Sequence, residues 1–223
     1  HMLSGLNNIS CLDGDRVRVE VGVSSAKVAR YCADNDLTGS EFLAGIPGLF
    51  GGALSMNAGA YGSETWEIVE SVETIDRSGM VRQRGIDDYA IDYRSVKGPE
   101  HEWFVAAIIH LKHGRGAESR SKVRSLLEKR NESQPVGTAN AGSVFKNPPG
   151  DFAARLIDSC GLKGARVGKA CVSGKHANFI INSGGATATE IEDLIELVRA
   201  TVLDQTGIRL EIEVHIIGEA DNG

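Results

Sequence analysis

The chain has 223 residues, 41% of them hydrophobic and 24% charged, with a formal net charge of −6. This composition is that of an ordinary globular protein, with length for one large domain or two small ones. The acidic balance and the lack of a basic stripe exclude a general nucleic-acid binder. No apolar run is long enough to cross a bilayer, no signal-peptide pattern is visible, and His1-Met2 reads as a cloning remnant. Cys11, Cys32, Cys160 and Cys171 form no C-x-x-C pair or disulfide framework. Free thiols and a cytoplasmic location are expected. The six histidines lack zinc-site spacing, so no metal is expected.

In chain order, Asp13-Gly14 predicts a hairpin turn. Val17, Val19 and Val21 then alternate with charged residues as in a half-buried strand. Ser24 or Ser25 opens a helix carrying Val28, Tyr31 and Cys32 on one side. A glycine-dense segment, Gly45 to Gly62, follows. Val69 to Arg77 and Trp103 to Lys112 read as strands, with the turn Ser78-Gly79 leading from the first to a short partner. His113-Gly-Arg-Gly116 marks a boundary. Beyond it come a charged amphipathic helix, Glu118 to Asn131, with Val123, Leu126 and Leu127 apolar, and a short helix, Asp151 to Cys160, stopped by Gly161. Ala177, Phe179 and Ile181 mark a strand. Thr187 and Glu190 form a capping box for a helix whose apolar face is Ile191, Leu194, Ile195, Val198 and Val202, ending at Gly207. Ile208 to Ile217 reads as a last strand with Leu210, Ile212 and Val214 on its core face and Glu211, Glu213 and His215 opposite. The order fits α+β rather than a doubly wound sheet.

Several residues can carry chemistry. Glycine lets another molecule lie against main-chain N–H groups, so Gly45 to Gly62 is either a ligand cradle or a run of tight turns. It is neither G-x-G-x-x-G nor a P-loop. In Ala141 to Gly150, Ser143 precedes Lys146 and Asn147, which presents a hydroxyl beside a positive charge; a polar loop with a proline turn is the alternative. Arg94, after Asp92-Tyr93, can grip a carboxylate or form a surface ion pair. Glu213 leaves the core face by alternation. His176 is a ring base or a structural histidine.

Taken together, these segments resemble UDP-N-acetylenolpyruvoylglucosamine reductases. The resemblance is carried by Glu41-Phe-Leu-Ala-Gly-Ile-Pro-Gly48 through Asn57-Ala-Gly-Ala-Tyr-Gly62, Tyr93-Arg94-Ser95, Gly142-Ser-Val-Phe-Lys-Asn-Pro148, Ser173-Gly-Lys-His-Ala-Asn-Phe179 with Asn182-Ser-Gly-Gly-Ala-Thr187, and Leu210-Glu-Ile-Glu-Val214 through Ile217-Gly218. Each motif is weak alone; the ordered set is specific. Leu49-Phe50 departs from the smaller or polar residues frequent after Ile-Pro-Gly. The short span from Arg94 to Ser143 implies the branch without an inserted, tyrosine-bearing loop.

The resemblance implies an α+β fold in two parts. Residues 3–116 would be the second lobe of an FAD-binding domain of the vanillyl-alcohol-oxidase/PCMH-like kind, with a mixed sheet and helices. Residues 117–220 would be a smaller α+β substrate-binding domain. It implies FAD as cofactor and NADPH as hydride donor. Hydride would pass from flavin N5 to the enolpyruvyl group of a UDP-sugar, a step in peptidoglycan precursor synthesis. Arg94 would hold the substrate carboxylate, Ser143 would donate the proton, and Glu213 would be the acidic partner. Ile46, Pro47, Gly48, Gly51, Gly52, Asn57, Gly59, Ala60 and Tyr61 would contact the flavin; Lys146, Asn147, Lys175 and His176 would contact the UDP-sugar. Family members begin with a smaller domain carrying a Gly-Ser-Asn loop. No such loop precedes Arg16, so a truncated chain is expected, with a flavin-free UDP-sugar-binding module as the alternative reading.

Overall fold

The computed structural model describes residues 5–218, divided into two compact units, 1–130 and 131–223. His1-Met2 and the outer ends of the two expected domains lie outside the described residues.

The first unit is built on a five-stranded sheet in the order Ile9–Cys11, Arg16–Glu20, Glu102–His110, Val69–Asp76, Val81–Gly85. Every pairing in it is antiparallel, so it contains no parallel pair. The expected hairpin forms at Gly14, whose φ is +76°. Val17 and Val19 are fully buried, while Arg18 on the opposite face forms a fork with Glu73 at 2.7 Å. Period-two burial of this kind fixes the register of the sheet. Helices α1 (Ser25–Asp34) and α2 (Phe50–Ser55) join the core through Val28, Cys32, Phe50 and Leu54.

Helix α3 (Gly116–Ser133) places Val123 and Leu126 in this same first core. The division therefore falls between Arg130 and Asn131, later than the expected boundary at the start of the helix. The composition change at Gly116 marks a helix start, not the end of the first core.

The second unit holds a four-stranded antiparallel sheet in the order Asn140–Ser143, Phe179–Asn182, Ala170–Val172, Arg166–Val167. Helices α4 (Ala153–Ser159) and α5 (Ala188–Thr206) complete it. The capping box on α5 forms as read: the Glu190 N–H donates to Thr187 Oγ1 and the Thr187 N–H to Glu190 Oε2, both at 3.1 Å. Leu194, Ile195, Val198 and Val202 are buried, and Gly207, at φ +71°, ends the helix.

Two strand expectations are corrected here. The expected strand at Ile208–Ile217 is reduced to one bridge, Phe145 to Ile212. Its partner segment runs into Pro148 and Pro149, which have no N–H to continue a ladder. That limits the segment at its Arg209 end; at the other end Ile216 and Ile217 are exposed. The other strand starts at Phe179 and buries Ile180 more fully than Ile181, because Ala177 lies in the preceding turn. Among the described residues, no helix is long and apolar enough to cross a membrane.

Candidate active site

The glycine-dense segment is entered through a 3-10 turn, Glu41–Gly45. Its centre is not a run of turns: Phe50–Ser55 forms α2. Main-chain bonds stitch it to the end of a sheet strand and the start of α1. The Ser25 N–H donates to Gly48 O (3.2 Å), the Phe50 N–H to Val23 O (2.8 Å) and the Gly51 N–H to Val21 O (2.9 Å).

The glycines divide by physical cause. A Cβ on Gly51 would lie 2.8 Å from Val21 Cβ, one on Gly59 2.7 Å from Ser63 O, and one on Gly45 2.4 Å from Tyr61 Cε2. Those three exist so that the protein can pack on itself. Gly48 is exposed and turns the chain at φ +91°. Gly52 has none of these reasons. It is exposed, lies inside a helix, needs no positive φ, and a Cβ there would meet nothing within 4 Å. A helical glycine costs roughly 0.5–1 kcal/mol relative to alanine. An uncompensated glycine beside exposed Pro47 and Gly48 fits the close approach of another molecule. This is the feature that fits FAD: an open backbone surface where a methyl would intrude.

Asn57, Tyr61 and Arg94 all adopt positive φ, at +42°, +56° and +52°. Left-handed backbone costs a non-glycine residue roughly 1–2 kcal/mol, and such residues gather at functional sites. Here they brace one another. The buried Asn57 side chain donates to Glu64 Oε2 (2.7 Å) and Asp92 O (3.3 Å) and accepts from the Trp66 N–H (3.1 Å). Arg94 donates to Asn57 O and Gly59 O, both at 3.2 Å, and its guanidinium lies 4.9 Å from the Tyr93 ring centre. Arg94 and the glycine segment thus form one constellation.

Helix α3 clamps this constellation from outside. Ser119 Oγ donates to the buried Glu41 carboxylate at 2.6 Å, and Tyr61 Oη donates to Leu126 O at 3.1 Å. Burial would raise the Glu41 pKa, but hydrogen bonds from Ser119 and Gly39 and the charge of Lys122 outweigh it and hold it below the usual 4.5.

In the second unit, half-buried Ser143 ends its strand and pairs in register with Phe179. The next residue, Val144, accepts from the Glu213 N–H at 2.8 Å, so the backbone places Glu213 opposite the residue that follows Ser143. The other expected residues are engaged within the unit. Lys146 Nζ contacts Glu211 Oε1 at 2.5 Å. Asn147 Oδ1 accepts from the Ala153 N–H at 3.0 Å, at the first residue of α4. Lys175 Nζ donates to Asn131 O. His176 packs edge-on against Phe179; burial, then Lys163, hold its pKa below 6.5. Among the described residues, no cluster of histidine, cysteine, aspartate or glutamate is placed to hold a metal.

A family model described as an FAD binding domain matches residues 2–84. Another, the C-terminal domain of UDP-N-acetylenolpyruvoylglucosamine reductase, matches residues 134–217. A reductase of that name from Alkalilimnicola ehrlichii is 54% identical over 211 residues, covering 95% of this chain and 71% of the relative. The chain belongs to the UDP-N-acetylenolpyruvoylglucosamine reductase family. One from Thiobacillus denitrificans is 55% identical over 205 residues, 91% of this chain and 63% of the relative. The crystal structure of the Thermus caldophilus reductase superposes with a TM-score of 0.79 at 33% identity, covering 89% of this chain and 71% of that one. The chain therefore spans between three-fifths and three-quarters of the length of these reductases.

Sequence reasoning missed the supports of this reductase-family site. Glu41 and Ser119 pass for surface residues of a turn and a charged helix. Asn178 was visible only within a motif, although its place between the apolar residues Ala177 and Phe179 was a signal: a polar side chain in a buried run must find partners.

Proposed function

We propose that this chain performs the chemistry its family name describes: FAD-dependent, NADPH-using reduction of UDP-N-acetylglucosamine enolpyruvate to UDP-N-acetylmuramate. The reaction is a cytoplasmic step in peptidoglycan precursor synthesis. Residues 5–130 act as the FAD-binding lobe and residues 131–218 as the substrate-binding domain. The observation that carries the reading is Gly52, an exposed helical glycine with no internal steric cause beside Pro47 and Gly48.

Pro47, Gly48, Gly52 and Tyr61 hold the cofactor. Ile46, Gly51, Asn57, Gly59 and Ala60 shape the backbone that receives it. Bound FAD supplies the hydride. Arg94 grips the substrate carboxylate, and a fixed guanidinium gains strength as enolate charge develops there, which lowers the barrier beyond what binding alone would do. Ser143 Oγ delivers the proton to the carbon bearing that charge. A hydroxyl is a weak acid and serves only against so basic a centre. Glu213, whose ionised carboxylate would repel the enolate, shares or donates a proton during the step. Lys146, Asn147, Lys175 and His176 line the UDP-sugar site; Lys146 exchanges Glu211 for the ligand when it binds.

The test is to separate the half-reactions in FAD-loaded protein. NADPH should bleach the flavin band and the enolpyruvyl sugar should restore it. Ser143→Ala should leave bleaching intact and slow restoration by about 10²- to 10⁴-fold. Equal losses in both halves, or no loss in the second, would contradict the assignment.

A further inference from the structure

The strand bearing Ser143 leaves its neighbour early. Its pairing with Phe179–Asn182 is irregular between Asn140 and Ser143, and Gly142 sits at φ +83°. Beyond Ser143 the ladder should lapse, yet Val144 and Phe145 are almost completely buried. Buried peptide groups need partners.

One residue supplies three of them. Asn178 is 4% exposed. Its Oδ1 accepts from the Phe145 N–H at 3.0 Å and its Nδ2 donates to Phe145 O at 2.8 Å. Its own carbonyl accepts from the Val144 N–H at 2.9 Å. A carboxamide presents a carbonyl and an N–H side by side, with a second N–H besides, much as a peptide group does, so it continues the ladder past the point where the strands part. Aspartate lacks the donor. From Val144 the frame extends sideways, because Val144 O receives the N–H groups of Glu213 (2.8 Å) and Val214 (3.4 Å). Asn178 is itself anchored: its N–H donates to His176 Nδ1 at 3.3 Å, which requires that nitrogen to be unprotonated.

We propose that Asn178 is a positioning residue that fixes Ser143 and Glu213 in one frame by clamping both peptide groups of Phe145. The inference rests on the reading of Ser143 as proton donor and adds to it the side chain that aims it.

The first measurement needs no flavin. Amide exchange is followed across the full chain in wild type, Asn178→Ala and Asn178→Asp. The alanine variant should exchange about tenfold faster at Phe145 and at Glu213, with α5 unchanged. The aspartate variant keeps the acceptor but turns a carboxylate oxygen toward Phe145 O, so it should open the clamp at least as far as alanine does. Unchanged exchange at Phe145 and Glu213, equal acceleration in α5, or an aspartate variant as protected as wild type would each overturn the clamp.

The second measurement uses FAD-loaded protein. Asn178→Ala should slow substrate-dependent reoxidation and spare reduction by NADPH. Placed on Ser143→Ala, it should add less than it costs alone, since part of its effect runs through that hydroxyl. Fully additive losses would overturn the positioning of Ser143. If Ser143→Ala alone leaves reoxidation untouched, the proton-donor reading fails instead, and the exchange data still decide the clamp.

Discussion

The two units frame their chemistry by opposite means. In the first, the frame comes from missing side chains: Gly45, Gly51 and Gly59 let the segment pack where a methyl would collide. In the second, the glycines flanking the site, Gly142 and Gly174, would meet nothing with an added Cβ, and the frame comes from hydrogen bonds, above all the two made by Asn178 to Phe145. The first frame therefore tolerates little added volume, and the second tolerates little loss of a polar partner. Packed interiors resist an extra methyl because there is no slack to absorb it. Unpaired buried polar groups are costly because water cannot reach them.

The sharpest way to break that contrast is Gly51→Ala. Its Cβ would press on Val21, a residue just 1% exposed and held in the core. The expected loss of folding stability is about 1–3 kcal/mol, read by denaturant unfolding of the full chain. A neutral result would mean that the segment can shift away from the sheet.

A smaller effect tests the clamp that α3 places on the same segment. Glu41 is held below its usual 4.5 by Ser119 and Gly39 against the opposing effect of burial. A carboxyl whose folded pKa is depressed adds stability above its unfolded pKa and loses it as pH falls through the folded value. Stability should therefore decline below about pH 4.5 in wild type, and less steeply in Glu41→Gln. Parallel pH curves for the two proteins would show that Glu41 is no part of the frame.

What was legible in the sequence follows the same division. Features with local causes were readable. The Asp13-Gly14 hairpin, the Thr187–Glu190 box and the apolar stripe of α5 depend on residues a few positions apart, and they form as read. The motif order gave the family, which the comparisons bear out. Features with distant causes were not readable. The strand expected at Ile208–Ile217 has the right alternation, but its partner ends at Pro148, opposite its first residues, and only one bridge forms. Helix α2 was hidden because glycine is a poor helix former, and its two glycines answer to Val21 and to open surface, not to propensity. Asn57 falls inside a recognisable motif, yet its contacts with Trp66, Glu64 and Asp92 appear only once three separate segments meet.

Gly52 carries the central claim, and it predicts opposite signs for stability and binding. Alanine there meets open space and removes the glycine penalty, so Gly52→Ala should leave stability unchanged or raise it by roughly 0.5–1 kcal/mol. The decisive measurement is an FAD titration of wild type and Gly52→Ala, followed by flavin fluorescence, with unfolding curves for both proteins. Saturable binding by wild type and much weaker binding by a variant at least as stable is the result this account predicts. Equal FAD affinity in the two proteins, or no binding by wild type at saturating FAD, would contradict it.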